Sequence, residues 1–156
     1  MMEDSNVSSV RTMEGTEIIV FRVGGITVGL PISEVREIFK STTFTPVHTA
    51  FPYVKGVINL RGSIVTIIDL NKRMELPTSV EEHSVHIVVV EFKDELIGLL
   101  VNGIEDSLFA RSEDFFPVPA TVNGANSSFF RSLFRREEDL VAMLDLDNTL
   151  MQGESS

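Results

Sequence analysis

Two aspartates occupy the positions best suited to acid–base chemistry. Asp69 stands near the end of the apolar run SIVTIIDL, and Asp145 holds the same place in the run LVAMLDL. A pair of carboxylates facing one substrate could act as acid and base, as in glycoside hydrolysis. Each aspartate, however, follows a strand-like run and precedes a short helix-like segment, where its side chain can accept hydrogen bonds from the first helical amides. We therefore expect both residues to be helix N-caps.

Other combinations of reactive residue types are incomplete. His83 and His86 lie beside Glu81 and Glu82, but a structural zinc site favours four ligands and the chain has no cysteine. The segment GGITVG resembles a glycine-rich phosphate loop, but no Lys-Ser or Lys-Thr pair follows it and it lies between two strand-like runs. No serine near a histidine has the context of a nucleophile elbow. We expect no enzymatic activity, no bound metal and no cofactor.

The composition favours a single acidic domain. The 156 residues are 43% hydrophobic and carry a formal net charge of −10. Such a charge disfavours nucleic acids and anionic membrane surfaces, because both are bound through clustered Lys and Arg. The N-terminal sequence lacks the basic-then-apolar layout of a signal peptide, and no apolar run approaches the length of a membrane span. We expect a cytoplasmic protein without direct membrane insertion.

Short apolar runs rich in Val, Ile, Thr and Phe predict a mainly β protein with a few short helices. The runs are TEIIVFRV, ITVGLPI, GVINL, SIVTIIDL, HIVVVEF and LIGLLV. Turn-forming pairs separate consecutive runs and predict hairpins. These pairs are Gly24-Gly25, Arg61-Gly62 and Lys93-Asp94.

One apolar segment has helical rather than alternating spacing. In ISEVREIFK, the residues Ile32, Val35 and Ile38 recur as they would on one face of a short helix. Ser33 is a possible N-cap of that helix.

The sequence contains an internal repeat in two blocks. In the first block, IIVFRVGGITVGLPISEV lies over IVVVEFKDELIGLLVNGI without a gap, so that Gly29 meets Gly98 and Val35 meets Ile104. In the second block, YVKGVINLRGSIVTIIDLNKRM lies over FFRSLFRREEDLVAMLDLDNTL, again without a gap. Because the two blocks follow the same order in both halves, the repeat covers most of the chain.

The repeat divides the chain into two similar β units with a tail at each end. The units are about residues 16–75 and 83–151, and the tails are residues 1–15 and 152–156. Each unit holds about five short strands, a number that closes naturally into a small barrel. Apolar residues on both faces of GVINL and SIVTIIDL indicate strands that are covered on both sides, as at a junction between the units.

The same segments resemble the CheW family, whose members couple chemoreceptors to a histidine kinase in bacterial chemotaxis. FTPVHTAFPYVKGVINLRGSIVTIIDL is similar to the family's most recognisable block, with its Gly-Val-x-Asn-Leu-Arg-Gly core at Gly56 to Gly62. EIIVFRVGGITVGLPISEVREIF, IGLLVNGIEDSL and LVAMLDLDNTL are similar to other blocks, so the resemblance covers residues 16–151. It implies two SH3-like barrels of about five strands each, packed around a shared core and without catalytic activity.

The resemblance also implies a function and its partners. A stand-alone chain of this family would be an adaptor that binds the regulatory domain of the histidine kinase CheA and the cytoplasmic tip of methyl-accepting chemotaxis receptors. It would be a monomer when isolated and assembled in receptor arrays beneath the inner membrane. Two alternatives are an adaptor of the same fold in a different sensory pathway, such as surface motility or gene regulation, and a small-ligand-binding double barrel. The second alternative requires a deep polar pocket with perturbed titratable groups.

A receptor-binding set of four residues follows from the resemblance: Arg61, Val35, Glu37 and Ile104. Arg61 is either a solvated turn residue or a partner contact, since its planar donor fork suits carboxylate and carbonyl groups. Val35 is either a core residue or the floor of a groove, and Glu37 is either a solvent-facing residue or part of the groove's polar rim. Ile104 is the repeat counterpart of Val35.

Four glycines lie near the predicted interfaces, at Gly29, Gly56, Gly62 and Gly98. Gly62 supplies the backbone freedom of the turn after Arg61. The other three lie within strand patterns, where glycine weakens a strand unless a bend or a close backbone approach requires it. We expect a structural role for them.

The segment DFFPVPATVNGANSSFFRSLF concentrates five of the eleven Phe residues. These side chains either pin a loop over the second unit or form an exposed apolar patch for a protein partner. The sequence leaves the role of residues 115–134 open between these two interpretations.

Overall fold

The computed structural model describes residues 15–40, 43–48, 51–77, 86–122 and 125–150. Apart from Gly15, the predicted tails lie outside the described residues, as does the candidate ligand His83. No helix within the described ranges is long and apolar enough to cross a membrane.

Strands dominate both halves of the described chain, and each half ends in a short helix. The first half contains β1 (Gly15–Val23), β2 (Ile26–Pro31), β3 (Val35–Lys40), β4 (Val54–Leu60), β5 (Ser63–Asp69) and α1 (Leu70–Arg73). The second half contains β6 (His86–Phe92), β7 (Glu95–Val101), β8 (Gly103–Arg111), β9 (Phe115–Phe116), β10 (Thr121–Val122), β11 (Ala125–Asn126), β12 (Phe130–Arg136), β13 (Asp139–Leu144) and α2 (Leu146–Leu150).

The three predicted hairpins are confirmed as the antiparallel pairs β1–β2, β4–β5 and β6–β7. In the second turn, φ is 52° at Arg61 and 90° at Gly62, and in the third it is 53° at Lys93 and 66° at Asp94. Positive φ at both central residues gives a tight turn whose twist matches that of the flanking strands. The β4–β5 turn therefore places Arg61 at a hairpin tip.

The helix predicted over ISEVREIFK is wrong. Only Ile32–Glu34 forms a single 3-10 turn, and its N-cap position is occupied by Pro31, not by Ser33. The residues that follow form β3, in which half-buried and exposed side chains alternate. β3 pairs with β6 in the antiparallel direction, with Val35 opposite Val90. This pairing satisfies the backbone hydrogen-bonding groups of β3 and overrides the helical spacing of its apolar residues.

Two main sheets interleave the halves of the sequence. Sheet 1 has the strand order β8-β1-β2-β13-β12-β9, and sheet 2 has the order β3-β6-β7-β5-β4. Each sheet takes one hairpin, β1–β2 or β6–β7, from one half and all its other strands from the other half. The predicted units at residues 16–75 and 83–151 are therefore not two separate sheets, because the first hairpin of each half pairs with strands of the opposite half.

The sequence repeat is preserved as a pseudo-symmetry that exchanges the two sheets. β13 runs parallel to β2 with Met143 opposite Gly29, and β5 runs parallel to β7 with Ile67 opposite Gly98. Gly29 and Gly98 are counterparts in the first repeat block, and Ile67 and Met143 are counterparts in the second. The two parallel junctions are therefore equivalent positions of one repeated design.

Apolar side chains form a shared core between the sheets and a smaller cluster within each sheet. The shared core takes residues from both sheets, among them Phe21 and Leu99. Along β5, Val65 and Ile67 face the inner cluster of sheet 2, whereas Ile68 faces the shared core. The predicted coverage of this strand on both faces is confirmed.

Candidate partner-binding surface

Arg61 lies at the exposed tip of the β4–β5 hairpin and contacts β3. Its guanidinium donates a hydrogen bond to the Glu37 carboxylate. The amide of Gly62 donates to the Asn59 side-chain oxygen at 2.8 Å, which fixes the turn. The Arg61 side chain is 71% exposed. Because an exposed ion pair contributes little to stability, the fold itself does not depend on this contact.

An open groove of about 500 Å³ lies beside this ion pair. A second ion pair, between Arg36 and Glu91, lines the same groove, and Leu60 and Leu96 add apolar surface. Ile64, just after the turn, exposes 60% of its surface. Apolar surface bordered by charged groups is the arrangement that accepts an amphipathic protein segment.

The structure brings Glu37 to Arg61 but turns Val35 away from it. A β-bulge separates Val35, which lies opposite Val90, from Glu37, which lies opposite Val89. Val90 faces the shared core and Val89 faces the inner cluster of sheet 2, so Val35 and Glu37 point to opposite faces of the sheet. Val35 is half-buried against the shared core.

Ile104 belongs to the other sheet. It lies on β8 opposite Phe21 and packs, half-buried, against the shared core. The β8–β1 pairing repeats the β3–β6 pairing, so Ile104 is the structural counterpart of Val35. Of the predicted set, only Arg61 and Glu37 are in direct contact.

Gly29 and Gly98 lie where the parallel strands meet. A Cβ atom at Gly98 would lie 2.6 Å from Ile67 Cδ1, and one at Gly29 would lie 2.9 Å from a Val141 methyl group. Neither distance leaves room for a side chain. At these glycines, side chains of the inner clusters pack directly against the strand backbone.

Gly56 and Gly62 have positive φ values. At Gly56, φ is +155° and an added Cβ would overlap the Thr45 carbonyl oxygen. At Gly62, φ is +90° and an added Cβ would meet open space. Glycine is favoured at Gly62 by the backbone conformation alone, and at Gly56 by conformation and space together.

The two candidate acid–base residues are N-caps, as predicted. Asp69 Oδ1 accepts hydrogen bonds from the amides of Asn71 at 2.9 Å and Lys72 at 3.3 Å. Asp145 Oδ1 accepts one from the Asn148 amide at 3.0 Å. Each carboxylate is used by its own helix, and within the described ranges no three His, Cys, Asp or Glu side chains converge on a possible metal site.

Sequence reasoning missed the opposite charge of the second hairpin tip. At the position equivalent to Arg61-Gly62, the β12–β13 turn carries Glu137-Glu138. Beside it, Arg136 donates to Glu105 at 2.9 Å and to Asp139 at 3.0 Å. Burial opposes the charged form of Arg136, but these hydrogen bonds outweigh it and raise the pKa of its guanidinium. The ungapped alignment of the second repeat block could have shown this difference, because it places Glu137-Glu138 over Arg61-Gly62.

A buried cation was also missed. Arg73 at the end of α1 is only 4% exposed. Its guanidinium lies over the rings of Tyr53, at 5.3 Å, and Phe129, at 4.8 Å. Burial lowers the pKa of Arg73 from its ordinary value. Nothing in a Lys-Arg pair after a strand distinguishes a buried arginine from a solvated one, so no local pattern could have identified it.

The Phe-rich segment is built into the protein interior. Phe129, Phe130 and Phe134 are buried, and Phe115 and Phe116 are half-buried on β9. Phe115 packs on Phe134 with ring centroids 5.3 Å apart. These five aromatic side chains form packing contacts and not an exposed patch.

Comparison with known proteins agrees with this architecture. The sequence profile of the CheW-like domain matches residues 17–154. The chain belongs to the CheW family. Its CheW relatives include the chemotaxis protein CheW of Rhizobium meliloti, 33% identical over 96% of this chain and 97% of that protein. The chemotaxis protein CheW of Bacillus subtilis is 29% identical over 91% of this chain and 90% of that protein.

A solved CheW structure has the same fold. The scaffolding protein TtCheW of Thermoanaerobacter tengcongensis matches with a TM-score of 0.81 at 23% identity, covering 90% of this chain and 96% of that one. The predicted mainly β, CheW-like fold class is therefore confirmed. Within it, sheet 2 has five strands and sheet 1 has a sixth, the two-residue β9.

Proposed function

We propose that this protein is a non-enzymatic chemotaxis adaptor that couples methyl-accepting receptors to the histidine kinase CheA. The observation that carries the proposal is the match to the CheW-like domain across residues 17–154, together with relatives named chemotaxis protein CheW over nearly the same span. An adaptor acts by holding partners in a fixed geometry, which a rigid double-sheet fold with exposed, charged hairpin tips can do.

The receptor-binding surface in this proposal is centred on Arg61 and Glu37. Arginine offers a planar donor fork and is enriched among residues that dominate binding energy. The adjoining groove has apolar surface at Leu60 and Leu96, which suits the helical tip of a receptor. In this arrangement Val35 supports β3 from the shared core, and Ile104 packs against the same core from β8 of sheet 1.

The glycines of the predicted set contribute indirectly. Gly56 and Gly62 shape the β4–β5 hairpin that presents Arg61. Gly29 and Gly98 leave room for the side chains of the inner clusters. Substitution at any of them would change partner binding by displacing the surface, not by removing a contact.

The kinase partner in this proposal is the CheA regulatory domain, bound on a surface separate from the receptor groove. Charge complementarity distinguishes the candidate surfaces, because one hairpin tip carries Arg61 and the equivalent tip carries Glu137 and Glu138. The isolated chain would be a monomer that assembles at receptor arrays in the cytoplasm, beneath the inner membrane.

A binding titration tests the proposal. The purified chain is titrated with a CheA regulatory domain and, separately, with a receptor signalling tip from the same cell. Saturable binding to both is the expected result. Binding to the kinase domain alone would contradict the receptor half of the proposal. Binding to neither, by a chain shown to be folded, would overturn the adaptor function and leave the fold assignment in place.

A further inference from the structure

Helix α2, the last helix of the described residues, is held by polar contacts in addition to the packing of Leu146 and Leu150 on the shared core. Arg73 of α1 donates from Nε to the Thr149 carbonyl at 2.6 Å and from Nη2 to the Asn148 carbonyl at 3.2 Å. The Asn148 side chain donates to the Ser128 carbonyl at 3.0 Å. The two Arg73 contacts join the short helix of the first half to that of the second half.

Arg73 lies at the point where the two pseudo-symmetric halves touch. In the repeat, the counterpart of Arg73 is Thr149, and the counterpart of Tyr53 is Phe129. The guanidinium therefore bonds to the backbone of its own counterpart and lies over both members of a matched pair of rings. A change at this contact acts on both sheets at once.

One buried group of α2 opposes this attachment. Thr149 is fully buried, and its hydroxyl has no hydrogen-bond partner among the described residues. Leu146 and Leu150 are only half-buried against the shared core. An unpaired buried hydroxyl is destabilising, and a helix of five residues has almost no intrinsic stability.

We propose that α2 is a releasable latch, that is, a helix that detaches from the protein while both sheets stay folded. Arg73 stabilises the attached, closed state of this helix. The buried Thr149 hydroxyl destabilises the closed state. The proposal concerns the isolated chain and goes beyond the adaptor function, because it does not depend on which partners bind. Local opening of this kind is expected where few apolar contacts are lost.

When the latch is closed, its residues form one side of an open groove. This groove of about 710 Å³ has Asp145, Leu146 and Asp147 on the latch side and Glu34, Arg36 and Arg131 among its other lining residues.

Amide hydrogen exchange of the full chain tests the latch. The Thr149 amide donates to the Asp145 carbonyl at 2.9 Å, and in α1 the Met74 amide donates to the Leu70 carbonyl at 3.0 Å. We expect the Thr149 amide to exchange at least about tenfold faster than the Met74 amide, and at a rate insensitive to low urea, because local opening exposes little surface. Exchange of both amides at one slow, urea-sensitive rate would overturn the proposal.

A matched pair of substitutions makes the test specific. Thr149→Val removes the unpaired hydroxyl and keeps the shape, so it should slow exchange across α2 by about tenfold. Thr149→Ser keeps the hydroxyl and should not slow it. Arg73→Lys keeps the charge but loses the planar fork and should speed the exchange. Unchanged α2 exchange in Thr149→Val would contradict the proposal even if the Arg73 variant failed to fold.

Discussion

At the scale of single residues, the two pseudo-equivalent hairpin tips carry opposite charge at matching positions of a two-residue turn. Arg61-Gly62 occupies one tip and Glu137-Glu138 occupies the other. Each tip is accompanied by an exposed aliphatic side chain, Ile64 or Leu140. Because charged groups around an apolar contact decide which partner is accepted, the tips are suited to different partners.

Arg61→Ala should weaken binding of a receptor tip by about tenfold or more, the loss typical of an interface arginine. The free energy of unfolding should change by less than about 0.5 kcal/mol, because the Arg61–Glu37 ion pair is exposed. Titration with the receptor tip and urea unfolding measure the two effects.

Arg111→Ala is the matched control for this substitution. Arg111 is also an exposed arginine paired with a glutamate, Glu113, but it lies on β8 in the other sheet. Receptor affinity should be unchanged in the control. Equal affinity of the Arg61 and Arg111 variants would remove Arg61 from the proposed surface.

Asp69→Ala should destabilise the protein by about 1–2 kcal/mol, since it leaves two helical amides without their acceptor. Asp69→Asn keeps the accepting oxygen and should lose much less. Urea unfolding of the two variants gives the comparison. A loss of the same size in both would indicate that the negative charge, and not the cap, is the stabilising feature.

At the scale of elements, the parallel junctions depend on small residues. β5 and β7 approach so closely that a Cβ at Gly98 would lie 2.6 Å from Ile67 Cδ1 and 2.8 Å from Ile87 Cγ2. Overpacking of a dense core forces side chains and backbone to shift. The packing of the inner cluster at this junction therefore depends on the absence of a side chain at Gly98.

Gly98→Ala should destabilise the protein by about 1–3 kcal/mol, the usual cost of overpacking a core. Gly25→Ala is the control, because a Cβ at Gly25 meets no atom within 4 Å. Thermal or urea unfolding distinguishes them. Stability equal to that of the unsubstituted protein in Gly98→Ala would mean that the inner cluster of sheet 2 can relax around the added methyl group.

At the scale of the whole molecule, interleaving makes the two halves interdependent. Each sheet needs the first hairpin of one half and the remaining strands of the other, and the shared core takes residues from both. Neither half can bury its apolar surface alone. The protein should therefore unfold as one cooperative unit.

Separate fragments test this interdependence. Residues 1–80 and 81–156, produced individually, should lack the dispersed amide spectrum of a folded β protein, and mixing them should restore it. Two-dimensional NMR of each fragment and of the mixture is the measurement. A folded spectrum from either fragment alone would show that its strands can close on themselves.

The sequence by itself determined the local features of the protein. Short apolar runs rich in Val, Ile, Thr and Phe predicted β1, β2 and β4 to β7, turn-forming pairs predicted the hairpins, and Asp69 and Asp145 were predicted as N-caps. Each depends on residues within a few positions of one another, so the local sequence contains the information. The resemblance to the CheW family added the fold class and the choice of Arg61.

Only the tertiary structure decided which strands pair across the halves and that β3 is a strand. It also decided that Glu37, and not Val35, contacts Arg61, and that Arg73 is buried. A sheet built from one half of the sequence and a sheet built from both halves require the same apolar pattern along each strand. The apolar pattern therefore cannot distinguish the two arrangements. The choice depends on which distant segments bury each other's apolar faces, and that is a property of the whole chain.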